Sequence, residues 1–85
     1  MEKVEHDAGS CRFHIGGAFL QYERLDNGTL DFHHTETPPA LQGRGLAGKI
    51  VRAAVEHVQS SGGKIRPSCS YVEHWFIKNP EFQDV

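Results

Sequence analysis

The sequence predicts a mixed α/β (α+β) domain: an antiparallel β-meander, a loop–helix–strand crossover and a C-terminal helix. Three observations carry this reading. The first third alternates apolar and polar residues around glycine-bearing turns, the period of half-buried strands. A stripe of apolar residues at helical spacing follows two prolines. A second amphipathic stretch follows a Ser-Gly-Gly stop and ends at Asn79-Pro80. Eighty-five residues make one domain. Residues 1–9, mostly polar, read as a flexible lead, and 10–85 as the folded unit.

Each element has its own signal. Cys11, Phe13 and Ile15 alternate with Arg12 and His14, so a strand starts here, with Cys11 and Phe13 on its core face. Gly16-Gly17 can supply the positive φ of a tight hairpin. Ala18, Leu20 and Tyr22 then share one face of a second strand. Asn27-Gly28 fits a type I′ hairpin turn. Leu30, Phe32 and His34 follow on the inward face of a third strand. Pro38-Pro39 breaks the pattern. From Gln42 to Ser60 the apolar stripe Leu46, Ala47, Ile50, Val51, Ala54 and Val58 marks a helix, with Lys49, Arg52, Glu56 and Gln59 on its polar side. Ser61-Gly62-Gly63 stops it. A strand at Lys64-Ile65-Arg66 would lie parallel to the third strand and complete a right-handed crossover. Ser70-Tyr71-Val72-Glu73 has the form of a capping box with Ser70 as N-cap. Val72, Trp75 and Phe76 form the buried face of the last helix.

Composition narrows the function. A net charge of −2 gives no electrostatic case for nucleic acid or an anionic membrane. No stretch approaches the ~20 apolar residues of a membrane span, and the first residues lack the apolar run of a signal peptide. Two cysteines, Cys11 and Cys69, make no disulfide scaffold, so a cytoplasmic setting is expected. Six histidines are present, but none at metal-ligand spacing. His33 and His34 are expected on opposite strand faces, so no metal site is expected.

The segment Gln42-Gly43-Arg44-Gly45-Leu46-Ala47-Gly48 carries the chemistry. Glycine costs a helix roughly 1 kcal/mol against alanine. Three glycines at a helix start therefore imply that bare backbone is needed there. Successive N–H groups can close on an anion, and the helix N-terminus adds about half a positive charge. The ligand class is a phosphate-bearing cofactor. The same residues spell the G-x-G-x-x-G dinucleotide fingerprint, but Pro38-Pro39 replaces the strand that must lead into its first glycine. A plain flexible turn is the remaining alternative.

Gln42-x-x-Gly45-x-Ala47 resembles the Gln/Arg-x-x-Gly-x-Gly/Ala signature with which the GNAT superfamily of N-acetyltransferases binds the coenzyme A pyrophosphate. His34-Thr35-Glu36-Thr37-Pro38, Pro67-Ser68-Cys69-Ser70-Tyr71-Val72 and Asn79-Pro80-Glu81 extend the likeness. Together they resemble the small single-domain GNAT-like proteins of the YidJ/plant minimal acetyltransferase type, from about Arg12 to Val85. The resemblance implies a minimal GNAT-like fold and transfer of an acetyl group from acetyl-CoA to an amine. It implies cofactor contacts at Gln42, Gly43, Arg44, Gly45, Leu46, Ala47 and Asn79. It also implies a pantetheine arm lying between two splayed parallel strands, with backbone N–H near His34 to Glu36 polarising the thioester.

Four residues are candidates for the reaction. Cys69 precedes the last helix, where a thiol gains thiolate character; it also reads as a small buried hydrophobe. The resemblance sets it beside the thioester. His34 and Glu36 are candidate bases for deprotonating the acceptor amine, against a core imidazole and a solvated carboxylate. The resemblance implies that Tyr71 could protonate the departing thiolate; the other reading is packing. The chain lacks the two helices and the final strands that wall the acceptor site in longer members of the superfamily. The acceptor is unidentified, and an open cleft favours a protein or peptide amine over a small metabolite. A monomer or weak homodimer is expected. A cofactor-binding module without turnover and a protein-interaction domain are the alternatives.

Overall fold

A computed structural model describes residues 3–82 and 85. It contains one five-stranded sheet in the order β1-β2-β3-β4-β5. The strands are β1 (Glu5–Asp7), β2 (Arg12–Ile15), β3 (Ala18–Arg24), β4 (Leu30–Glu36) and β5 (Ile65–Arg66). The helices are α1 (Leu46–Ser60) and α2 (Ser70–Lys78), with 3-10 turns at Pro39–Leu41 and Pro80–Phe82. The first four strands run antiparallel in sequence order, and β5 pairs parallel to β4. The meander, crossover and closing helix stand as expected.

The lead segment differs from expectation. Glu5–Asp7 pairs with Arg12–His14 as an edge strand. His6 stacks flat on Phe13 at 4.0 Å between ring centres and hydrogen-bonds the Tyr22 hydroxyl at 2.6 Å. Those contacts hold a segment whose composition alone gave no strand signal. Cys11 also moves: it ends the β1–β2 turn at φ 55°, half-buried, with Arg24 Nη1 donating to its sulfur at 3.0 Å.

Local chemistry shifts two turns. The β3–β4 connection is not a two-residue type I′ turn, because only Gly28 takes positive φ (84°). Gly28 N–H donates to Leu25 C=O at 2.9 Å, and Leu25 N–H to Thr29 C=O at 2.9 Å. A turn closed by a left-handed glycine is the longer hairpin solution. The capping box is also absent. Cys69 is the N-cap of α2, in extended conformation, and Ser70 is already helical.

A bulge in β4 has the larger consequence. Tyr22 pairs with Phe32, but Gln21 pairs with His34, so His33 is an extra residue. Past it the alternation inverts. Phe32 is fully buried, His33 and His34 are both exposed, and Thr35 turns inward opposite Leu20. His34 is therefore not on the core face. The two histidines do not sit on opposite faces of a regular strand, as strict alternation required.

One core joins the inner sheet face to both helices. Phe13, Leu20, Tyr22 and Phe32 meet Leu46, Ile50, Val51, Ala54, Val55 and Val58 of α1, and Val72 and Trp75 of α2. Val55 joins the expected stripe and Ala47 lies at its half-buried edge. Burying each large side chain stabilises the fold by about 1.5–3 kcal/mol. The outer face, carrying Arg12, His14, Phe19, Gln21, His34 and Glu36, packs against neither helix.

Candidate active site

The segment entering α1 is shaped by its glycines. The helix begins at Leu46 rather than Gln42, because Gly43 (φ 84°) and Gly45 (φ 72°) are left-handed. That conformation costs an L-residue roughly 1–2 kcal/mol. A Cβ built on either glycine meets no atom within 4 Å. Bare backbone here thus faces open space rather than a packed neighbour. Gln42 anchors the turn by donating Nε2–H to Thr37 C=O at 3.1 Å.

A concavity of about 210 Å³ lies over this backbone, lined by Thr37, Leu41, Gln42, Gly43, Gly45, Leu46, Ala47 and Tyr71. Tyr71 is exposed, and its hydroxyl lies 3.6 Å from where a Cβ on Gly48 would stand. The fold thus brings Tyr71 to the loop. Arg44 is exposed and does not line the concavity. A phosphate fits the donor set: the consecutive amides of residues 43–46 at the positive end of a 15-residue helix, the Gln42 N–H being taken by Pro39 C=O at 3.3 Å.

β4 and β5 splay beside the loop. They pair only over Leu30–Ile65 and Asp31–Arg66. A last bond runs from Cys69 N–H to Phe32 C=O at 3.0 Å, after which the chain turns into α2. The far end of β4, Thr35 and Glu36, is paired to β3 on one side and, among the described residues, has no partner strand on the other.

Cys69 sits in the crook of this splay, half-buried. Its sulfur is 3.7 Å from Thr35 Oγ1. Burial pushes the thiol up, but N–H groups of Val72 and Tyr71 and the Thr35 hydroxyl and backbone favour the thiolate, and the net shift is downward. The N-cap position makes this possible, because the first amides of α2 point at the sulfur. Thr35 carried no signal in the sequence. Only knowledge of the bulge would have turned it inward.

His34 and Glu36 lie together on the outer face, Nε2 to Oε1 3.4 Å, each more than half exposed. Asn79 is not brought to the loop. It caps the opposite end of α2, donating Nδ2–H to Trp75 C=O at 2.8 Å. A nine-residue helix separates the two ends by ~13 Å. A concavity of about 490 Å³ around Glu23–Asn27 lies at the β3–β4 turn, the other end of β4 from Glu36, and holds none of the candidate groups.

Residues 11–85 match the family model for GCN5-related N-acetyl-transferases. The Xenopus tropicalis protein NATD1 is 33% identical over 92% of this chain and 77% of its own length. The human protein NATD1 is 32% identical over 92% of this chain and 74% of its own length. The solution structure of a GCN5-like protein from Staphylococcus aureus superposes with a TM-score of 0.73 at 30% identity. It covers 98% of this chain and 85% of that one.

Proposed function

The chain belongs to the GCN5-related N-acetyltransferase family, and from that premise we propose how its own residues serve acetyl transfer to an amine. The family uses acetyl-CoA and an amine acceptor. The observation that carries the reading is the open glycine backbone at α1 beside the unpartnered edge of β4.

Amides of residues 43–46 would hold the coenzyme A pyrophosphate, with the start of α1 adding its dipole; the Gln42 N–H is already given to Pro39 C=O at 3.3 Å. Bound acetyl-CoA supplies the activated acetyl group and the leaving thiolate. On the free edge of β4 the Thr35 N–H, which also faces the Cys69 sulfur, would polarise the thioester oxygen and stabilise the charge that develops on it. Glu36 and His34 would take the proton from the acceptor ammonium, so that the neutral nitrogen can attack. The new bond is N–C and the broken one C–S. The Tyr71 hydroxyl, in the first turn of α2 just past Cys69, would give a proton to the departing sulfur. The uncovered outer face gives a protein or peptide amine direct access to Glu36. Such a face cannot enclose a small metabolite as tight sites do.

A second reading has one observation in its favour: the hydrogen bonds that stabilise the Cys69 thiolate would suit an acyl-enzyme. Intact-mass analysis after incubation with acetyl-CoA, with and without lysine peptides, separates the two. Peptides gaining an acetyl group with Cys69→Ala protein supports direct transfer. An acetyl adduct on Cys69, with transfer lost in Cys69→Ala, supports the covalent route. No transfer by either protein overturns the proposed activity.

A further inference from the structure

The outer face of the sheet holds a cation that the proposed reaction leaves idle. Arg12 lies over Phe19, Cζ 4.0 Å from the ring centre, and the ring of His34 is 5.8 Å from the same centre. The guanidinium and His34 are therefore within about 10 Å of each other across one ring. Phe19 is also the register partner of Glu36. Arg12 donates Nε–H to Gln21 Oε1 at 2.9 Å. Its terminal nitrogens have no hydrogen-bond or ion-pair partner among the described residues. Arg12 lines a cleft of about 300 Å³ together with Asp7, Ser10, His14 and Phe19. Asp7, the cross-strand partner of Arg12, lines the same cleft; its Oδ1 accepts the Ser10 N–H at 3.3 Å, and it makes no ion pair with Arg12 among the described residues. A guanidinium held over an aromatic ring, with its terminal nitrogens unpaired, can receive a carboxylate in two parallel hydrogen bonds.

We propose that Arg12 is a specificity-determining residue, which binds a carboxylate on the acceptor and so delivers the acceptor amine to His34 and Glu36. The proposal rests on the acetyltransferase reading and names its substrate class: an amine and a carboxylate held several bonds apart. A lysine peptide with Asp or Glu two residues from the lysine fits. In an extended peptide such side chains share a face about 7 Å apart. A free ω-amino acid shares this chemistry. An α-amino acid does not, because its two groups are too close to span from Arg12 to His34.

The test compares extended lysine peptides carrying Glu, Gln or Lys two residues away, and 6-aminohexanoate against hexylamine. Affinity is read by calorimetry with coenzyme A present, and turnover with acetyl-CoA. Wild type, Arg12→Gln and Arg12→Glu are used, with folding checked by circular dichroism. For wild type, the Glu peptide should bind and react about fivefold better than the Gln peptide, the scale of a partly exposed ion pair. Arg12→Gln should remove that preference, and Arg12→Glu should invert it toward the Lys peptide. A gain for 6-aminohexanoate as large as for the peptide would identify the free amino acid as the source; a gain for the peptide alone identifies a protein substrate. Equal affinity of wild type for all three peptides, or a preference that survives in Arg12→Gln, overturns the proposal. Affinity is read without chemistry. A charge preference in binding with no turnover would therefore support this surface while counting against the acetyltransferase reading.

Discussion

Replacing Gly45 with valine separates two roles of one residue. Gly45 is the N-cap of α1 at φ 72°, and a Cβ there meets no atom within 4 Å. The protein itself thus offers no clash. The stability cost is the left-handed backbone alone, about 2 kcal/mol for a β-branched residue, or roughly 8–16 °C in Tm for a domain this small. The binding cost is separate. Valine would fill the space over the amides that the pyrophosphate needs, and each hydrogen bond to a charged group contributes ~1.5–3 kcal/mol. Losing two lowers coenzyme A affinity by about 100-fold or more. Gly62 provides the matched control: φ is 74°, its Cβ site is equally open, and it lies past the other end of α1. Gly62→Val should lose similar stability and keep its affinity. Calorimetric titration of both folded variants at a temperature well below either Tm checks this. Undiminished affinity in folded Gly45→Val would refute the placement, and an equal loss in Gly62→Val would show that affinity merely follows stability.

Three further outcomes are expected. Cys69 should alkylate at pH values below the ordinary thiol range near 8.5, and coenzyme A should protect it while leaving Cys11 unchanged; mass-resolved labelling reads both sites at once. Glu36→Gln should reduce kcat/KM for a lysine peptide by about 100-fold near neutral pH, the scale of a lost general base, with coenzyme A affinity unchanged. The third concerns acid stability. His6 is held below the ordinary imidazole value by burial, with His57 and Arg24 adding to it and Asp7 opposing. The unfolded chain therefore binds the proton more readily than the folded one. Stability from the docked β1 should be present above about pH 6.5 and decline as pH falls through that value. Urea midpoints between pH 7.5 and 5.5 should fall more steeply for wild type than for His6→Gln, and parallel slopes would remove His6 from the account.

The meander, α1 and the crossover were legible because each rests on a local signal: alternation in Phe13–Ile15 and Ala18–Tyr22, the stripe from Leu46 to Val58, and the Gly62-Gly63 stop. The Gly43 and Gly45 backbone was legible for the same reason, since glycine adopts those angles without steric cost. What escaped depends on partners distant in sequence. β1 is held by Phe13, Tyr22 and His57, none of which residues 1–9 reveal. The β4 bulge at His33 leaves no mark in composition, yet it exposes His34 and turns Thr35 toward Cys69. The same register sets Phe19 beside both Arg12 and His34, a juxtaposition across three strands that sequence spacing does not show.

Backbone amide chemical shifts, followed by NMR during titration with coenzyme A, test the central claim most directly. If the glycine loop and the splayed edge hold the cofactor, the largest changes fall on residues 43–46, on Thr35 to Thr37 and on Cys69 to Val72, while Gly28 and Gly62 stay still. Changes centred on the Glu23–Asn27 concavity, or none at saturating coenzyme A, would contradict it.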